Sequence, residues 1–170
     1  MPNWCSNSTE FYHSDPQKLR EVATAYNEGT LFAYFKPLPN GEWFYDWCVA
    51  NWGTKWDINT NGDEIDVEEF VNAGGGNLWY DTAWGPGNLA LDAAVEQGFE
   101  VTNYYYEPGM GFAGVYQEGV DDQYDLSDMT WEEAQSELPE ELNEIFNISE
   151  EMREYAEQEA EDGETESEEE

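Results

Sequence analysis

A twelve-residue segment that begins at Asp57 carries oxygen-bearing side chains at the spacing of a calcium-binding loop. Asp57, Asn59 and Asn61 stand at the first, third and fifth positions, and Glu68 stands at the twelfth. Carboxylate and amide oxygens at these offsets surround Ca²⁺ in an EF-hand, and Gly62 supplies the sharp turn at the sixth position. The spacing therefore makes a calcium-binding structural or adaptor protein one candidate function.

Two features of the same segment favour a plain β-hairpin turn. Glu64 occupies the eighth position, where an EF-hand loop normally carries an apolar residue. Residues 54–60 and 64–71 also read as two strands around the turn residues 61–63, whereas a helix enters a true EF-hand. The sequence thus favours the hairpin and keeps calcium binding as the alternative.

The glycines Gly109, Gly111 and Gly114 match the spacing of a dinucleotide-binding loop. In that loop the pyrophosphate lies at the N-terminus of a following helix. The residues after Gly111 instead read as a strand, and their surroundings are anionic. We therefore interpret these glycines as turn and close-packing residues.

The chain contains few residues that could support histidine or cysteine catalysis. His13 is the only histidine, and Cys5 and Cys48 are the only cysteines. A Cys–His dyad can be built by count alone, but buried thiols and a strand histidine are the simpler interpretation. We therefore predict that the protein is not an enzyme and has no cofactor.

Aromatic residues concentrate in the strands predicted around residue 105. On a sheet surface such rings can stack on RNA bases, but basic residues must then hold the phosphates. Residues 99–117 contain no lysine or arginine. We expect these rings in the core or in a protein interface, without direct nucleic-acid binding. They are Tyr104, Tyr105, Tyr106, Phe112 and Tyr116.

The charge of the chain is strongly negative and unevenly distributed. Residues 1–99 carry 15 acidic and 4 basic residues, whereas residues 100–170 carry 25 acidic residues and the single base Arg153. A net charge of −35 repels nucleic acid and anionic membranes, and it attracts cations and basic protein surfaces. Self-repulsion of this size lowers stability, which favours a function for the charge.

The acidic C-terminal part predicts a surface that imitates a phosphate backbone. Residues 130–161 hold 12 carboxylates, and as a continuous helix they would extend over ~48 Å at ~1.5 Å per residue. One charge per ~4 Å is close to the ~3.4 Å per charge of one DNA strand. The alternative is that these side chains only solvate amphipathic helices. The residues expected to bind a partner are Asp121, Asp122, Asp125, Glu132, Glu133, Glu137, Glu140, Glu141 and Glu144, with Trp131 as an aromatic anchor.

The elements that must position these residues form an α+β pattern. Asp15-Pro16 opens a helix that ends near Glu28, because Asp is a favoured N-cap and Pro fits the first turn. Residues 99–106 and 112–117 read as a hairpin. We expect an antiparallel sheet with helices on one face. Further strands are predicted at 3–13 and 77–84, and further helices at 42–52 and from Pro86.

Beyond residue 119 the pattern becomes helical and acidic. Thr130 and Glu133 form a capping box that starts a helix. Pro139 divides this helix from the next one. From residue 162 the chain consists of Glu, Ser, Thr and Gly with one Asp, so we predict disorder there.

Four blocks of this sequence, residues 1–7, 47–57, 81–86 and 111–114, resemble a known family. Together they resemble the YubB-type ferredoxin-like domain family of bacteriophages and plasmids over residues 1–118. The resemblance implies a ferredoxin-like fold and a mobile-element origin, and it implies no activity.

We therefore expect three parts: a ferredoxin-like domain (1–118), an acidic helical extension (119–161) and a disordered acidic tail (162–170). No secretory signal or membrane-spanning run is recognised, so the expected location is the cytoplasm of an infected bacterial host. The expected function is inhibition, by acidic DNA mimicry, of a basic nucleic-acid-binding host protein. Such anti-defence targets include a defence nuclease, a CRISPR effector, a restriction enzyme or a recombination enzyme. Whether the chain forms a homo-oligomer is left open.

Overall fold

An antiparallel sheet with helices on both faces organises the described residues. In the computed structural model, residues 2–168 are described, with side chains described for residues 2–163. The strands are β1 (Trp4–Tyr12), β2 (Gly75–Ala83), β3 (Glu100–Glu107), β4 (Phe112–Gln117) and β5 (Val120–Asp125). The helices are α1 (Pro16–Glu28), α2 (Leu31–Phe35), α3 (Tyr45–Trp52), α4 (Val67–Asn72), α5 (Asn88–Glu96), α6 (Trp131–Glu137), α7 (Glu140–Phe146) and α8 (Ile148–Glu168). The strand order is β2-β1-β3-β4-β5, with every pair antiparallel, so the α+β class is confirmed.

The two faces of the sheet carry separate hydrophobic clusters. Successive strand residues point to opposite faces. On the first face, Phe11, Leu78 and Val101 pack with residues of α1–α5. On the second face, Tyr104 and Tyr106 pack with residues of α6, α7 and α8. The helices of residues 1–118 therefore lie on one face, and the acidic helices, whose packing on the sheet the sequence leaves open, cover the second face.

The finer prediction of a ferredoxin-like arrangement is not confirmed. The chain runs β1, four helices, β2, α5 and then β3, β4 and β5 in succession, whereas the ferredoxin-like motif follows the order β-α-β-β-α-β. The sheet also continues past residue 118 into β5. The predicted boundary between 1–118 and 119–161 therefore falls inside a β-hairpin.

Among the elements on the first face, helices α1–α5 and the segments between them, some predictions are confirmed and others are wrong. Asp15 caps α1 by accepting a hydrogen bond from the Gln17 backbone N–H (2.9 Å), as predicted. The predicted strand at 54–60 is wrong, since only an isolated bridge joins Asn59 to the sheet. The predicted strand at 64–71 is also wrong, because this segment contains helix α4.

The C-terminal helices are divided at Pro139, as predicted, and again at Asn147. Pro139 separates α6 from α7, and Asn147 separates α7 from α8 with a left-handed φ of 54°. Helix α8 continues to Glu168, so residues 162–168 are helical where the sequence predicts disorder; glutamate is a good helix former. Residues 169–170 lie outside the described residues.

Candidate protein-interaction surface

Three of the predicted partner-binding residues lie on strand β5. Asp121 pairs opposite Tyr116, and Asp122 pairs opposite Val115. Because Tyr116 belongs to the first-face cluster and Val115 to the second, the two aspartates project to opposite faces. Asp125 ends the strand, which lies at the edge of the sheet.

Asp121 is held in place by a buried tyrosine. The Tyr105 hydroxyl donates a hydrogen bond to the Asp121 carboxylate (2.6 Å). The Tyr105 side chain passes over β4 at Gly114, where a Cβ would overlap the tyrosine hydroxyl. Burial, with the neighbouring Asp121, raises the pKa of Tyr105. Gly114 is therefore a close-packing residue, and a strand follows Gly111 as predicted.

Asp125 closes the turn after β5. Its carboxylate accepts hydrogen bonds from the Ser127 hydroxyl (2.6 Å) and the Ser127 backbone N–H (3.0 Å). These two bonds lower the pKa of Asp125. The carboxylate is therefore ionised at neutral pH and fixed in direction.

Helix α6 exposes Glu132, Glu133 and Glu137 to solvent. The Thr130 hydroxyl caps the helix by accepting a hydrogen bond from the Glu133 backbone N–H (3.2 Å), which confirms the predicted start. Ala134, on the inner side, is fully buried in the second-face cluster. The three glutamates thus stand on a helix that is packed against the protein.

Helix α7 combines exposed carboxylates with a direct bond to the sheet. Glu140 and Glu144 are exposed, while Leu142 is fully buried. The Tyr104 hydroxyl on β3 donates a hydrogen bond to the Glu141 carboxylate. Burial of the ring, followed by this bond, raises the pKa of Tyr104. Glu141 therefore joins α7 to the sheet as well as lying on the acidic surface.

Helix α8 folds back on the two shorter helices. Both α6 and α7 contact α8, so the carboxylates of residues 130–161 lie on three packed helices instead of along one ~48 Å line. Arg153 forms ion pairs with Glu150 (3.9 Å) and Glu157 (3.1 Å) within α8. We call β5, α6, α7 and α8 together the acidic layer; Arg153 is its single basic residue.

The other basic residues belong to the opposite part of the protein. Lys18 and Arg20 lie on α1, and Arg20 pairs with Glu68 of α4 (3.1 Å). Lys36 follows α2, and Lys55 follows α3. The two helix layers therefore differ in charge as well as in position.

Trp131, the predicted aromatic anchor, lies in a cleft of about 870 Å³ between the end of β3 and helix α8. Tyr106 and Tyr155 line the same cleft. Trp131 is half-buried, and Tyr155 is 64% exposed. We call this feature the α8 cleft.

The first predicted calcium ligand is already engaged with the backbone. The Asp57 carboxylate accepts hydrogen bonds from the backbone N–H groups of Phe32 (2.8 Å), Ala33 (2.9 Å) and Ile58 (2.8 Å). Burial raises the pKa of Asp57, and these bonds act in the opposite direction. Asp57 therefore anchors the first turn of α2.

The other predicted calcium ligands have separate partners. The Asn59 side-chain oxygen accepts a hydrogen bond from the Asn61 backbone N–H (3.0 Å), and the Asn61 amide donates to Asp81 (2.9 Å). Glu68 is paired with Arg20 (3.1 Å). Within the described residues, no group of three or more His, Cys, Asp or Glu side chains is arranged to hold a metal ion.

The cysteines and the histidine are engaged in packing. Cys5 and Cys48 are buried and unpaired, which confirms the predicted buried thiols. Burial raises the pKa of Cys5. His13 accepts a hydrogen bond at Nδ1 from the Asp15 backbone N–H (2.9 Å) and packs on Phe99 with 4.6 Å between ring centroids.

Sequence reasoning missed an exposed aromatic surface at one end of the first-face layer. Trp4 and Trp56 lie with ring centroids 6.1 Å apart, and the Lys55 ammonium lies 4.2 Å from the Trp56 ring centroid. The Trp43 indole N–H donates to the Lys55 carbonyl (2.7 Å), so these residues are contiguous. Trp84, 47% exposed, is joined to the same end by a backbone hydrogen bond to Asn3 (2.8 Å).

Comparisons with known proteins assign no family to this fold. The chain matches no family model, and neither the curated proteins nor the solved structures yielded a significant match. The resemblance to the YubB-type family therefore stays a prediction. No helix in the described part of the chain combines the length and the apolar character needed to traverse a bilayer.

Proposed function

We propose that the protein is a non-enzymatic inhibitor that binds a basic nucleic-acid-binding protein through its acidic layer. The carboxylates of α6 and α7, with that of Asp122 on the same face of the sheet, take the place of phosphates in the nucleic-acid groove of the partner. Counterions released from both surfaces drive the association, as they do when a basic protein binds DNA. Nucleic acid itself is repelled by the net charge of −35.

The observation that carries this proposal is that the carboxylates stand on packed elements. Ala134, Leu142 and Ile148 are fully buried beneath α6, α7 and α8, and the Tyr104 hydroxyl bonds Glu141. Charges on a pre-ordered backbone bind without the entropic cost of ordering a flexible segment. Glutamates on an unpacked tail would lose conformational entropy on binding.

The setting of this activity follows from the resemblance to phage and plasmid proteins. We propose that the chain protects a mobile element inside an infected bacterial cell. Its target is then a defence nuclease, a CRISPR effector, a restriction enzyme or a recombination enzyme, each of which exposes a cationic groove for DNA or RNA. The same proposal includes a relationship to ferredoxin-like domains, which the resemblance implies.

Competition with DNA for a purified partner tests the proposal. Proteins captured from a bacterial lysate are identified, purified and loaded with fluorescent duplex DNA, and displacement is followed by anisotropy. We expect the protein to displace the DNA, and its affinity to fall steeply as salt rises from ~50 to ~200 mM. Displacement that salt leaves unchanged, or no displacement from any captured DNA-binding protein, contradicts the proposal.

A matched pair of variants locates the binding surface. One variant carries four exposed acids of the acidic layer as lysines: Glu133, Glu137, Glu140 and Glu144. The control carries four exposed acids from the remainder of the chain as lysines: Glu28, Glu42, Glu64 and Glu96. Both change the net charge equally, so we expect only the first to lose displacement. If both variants lose DNA displacement equally, the overall charge, and not this surface, is responsible for binding.

A further inference from the structure

One wall of the α8 cleft is largely apolar and aromatic, although the protein is strongly acidic. One side of it is the face of α8 formed by Met152, Tyr155, Ala156 and Glu159. These positions follow the i, i+3, i+4, i+7 spacing of a single helical face. The cleft volume of about 870 Å³ is in the range that holds a small ligand or a few residues of a peptide.

Carboxylates surround the aromatic side chains in this cleft. Glu132, Glu151 and Glu159 contribute to its lining. The Tyr106 hydroxyl donates a hydrogen bond to Glu151 (3.3 Å), which holds that carboxylate at the wall. Aromatic faces and carboxylates both attract cations, and together they exclude an anionic ligand.

The aromatic wall already contacts one cation of the protein itself. The guanidinium carbon of Arg153 lies 5.4 Å from the ring centroid of Trp131. This distance is within the range of a cation–π interaction. Arg153 is also paired with Glu150 and Glu157 of the same helix. The Trp131 ring is therefore placed where a guanidinium is stable.

We infer that the α8 cleft binds an arginine-bearing segment of the partner protein, with the guanidinium between Trp131 and Tyr155 and the carboxylates of Glu151 and Glu159. Arginine fits better than lysine, because its planar group stacks on rings and bonds carboxylates with two N–H groups at once. The inference rests on the proposed function, since the segment belongs to the basic partner. It adds a specific anchor to the general attraction of the acidic layer.

A short peptide tests the cleft directly. The probe is the pentapeptide Gly-Arg-Gly-Arg-Gly with blocked ends, and the matched control replaces both arginines by citrulline, which has the same shape without the charge. Indole N–H signals of the eight tryptophans are recorded by NMR, and Trp131 is assigned from a Trp131→Phe variant. We expect the arginine peptide to shift the Trp131 signal and the citrulline peptide to leave it in place. Shifts confined to Trp43, Trp56 or Trp84, or no shift, would overturn the inference.

Substitutions on helix α8 distinguish the contribution of the cleft to peptide binding from that of neighbouring residues. Tyr155→Leu combined with Glu159→Gln is expected to weaken peptide binding at least fivefold. Glu154→Gln changes the charge by one on the same helix outside the lining, and it is expected to leave binding within twofold. A double variant that binds the peptide as tightly as the wild type contradicts the cleft as the site.

The partner assay distinguishes failure of this inference from failure of the proposed function. If the cleft variant displaces DNA as well as the wild type, while the α6–α7 lysine variant does not, the cleft is not the anchor and the proposed function stands. If the wild type displaces no DNA from any partner, the proposed function fails, and the Trp131 shift with the peptide still decides whether the cleft binds arginine.

Discussion

The hydroxyl of Tyr104 on strand β3 donates a hydrogen bond to the carboxylate of Glu141 on helix α7. This contact joins the sheet to the most acidic part of the chain. Tyr106, two residues further along the same face, makes the corresponding bond to Glu151 of α8 (3.3 Å). The acidic helices are therefore bound to the sheet by polar contacts as well as by the apolar cluster beneath them.

Removal of the Tyr104 hydroxyl should lower stability without altering the fold. Tyr104→Phe deletes the bond to Glu141 and keeps the ring, so we expect a loss of about 1 kcal/mol in the free energy of unfolding. Tyr124→Phe is the matched control, because Tyr124 packs against the same cluster and no hydrogen bond of its hydroxyl is observed in the described part of the chain. Urea unfolding followed by circular dichroism measures both. Equal losses in the two variants would show that the Glu141 contact contributes nothing of its own.

The buried tyrosines should make the protein sensitive to alkaline pH. Burial and nearby carboxylates raise the pKa of Tyr104, Tyr105 and Tyr106 above the ordinary value of ~10. Their stabilising contribution is fully present below pH ~10 and is lost as the pH rises beyond it, because the unfolded chain then binds fewer protons than the folded one. Unfolding free energies measured from pH 8 to 12, with tyrosinate absorbance at 295 nm, should fall steeply above pH ~10. Titration of every tyrosine near pH 10 without loss of stability contradicts this expectation.

The second-face cluster should be part of the same cooperative unit as the sheet. Leu142→Ala removes a fully buried side chain between α7 and the sheet, so we expect a loss of about 3 kcal/mol. Leu89→Ala, at a position 44% exposed on α5, is the control and should cost under ~0.5 kcal/mol. Calorimetry should show one transition moved to lower temperature. A separate early transition, with the main one unmoved, would mean that the acidic helices unfold independently.

Local signals in the sequence predicted several elements correctly. Asp15 before Pro16, the Thr130 cap and the break at Pro139 each act within one turn of chain, so they are readable without tertiary information. Helix α4 carried such a signal too: the Asp66 carboxylate accepts a hydrogen bond from the Glu69 backbone N–H (3.0 Å), and this spacing was missed.

Strand β5 and the docking of the acidic helices could not be predicted in the same way. β5 contains three aspartates, which have low strand propensity. Its backbone pairs with β4, and Tyr105 holds Asp121, so distant residues make it a strand. The apolar stripe of α6 and α7 required a partner surface, but the sequence alone did not show that Tyr104 and Tyr106 turn away from the first core and supply it.

The 57–68 loop should not bind calcium as a specific site, although Asp57 should matter for the stability of the protein. The Asp57 carboxylate accepts three backbone hydrogen bonds, two of them from the first turn of α2. Asp57→Ala should therefore destabilise the protein by about 2 kcal/mol, with and without Ca²⁺. Glu68→Ala is the control, because Glu68 is a predicted ligand of the same loop and its exposed ion pair with Arg20 contributes little to stability. Melting temperatures measured with 1 mM EDTA and with 1 mM CaCl₂ separate the two roles of Asp57. A melting temperature that rises with calcium in the wild type but in neither variant would establish a metal site. A melting temperature that falls only in Asp57→Ala, and equally in both buffers, follows from the hydrogen bonds of Asp57 to Phe32 and Ala33.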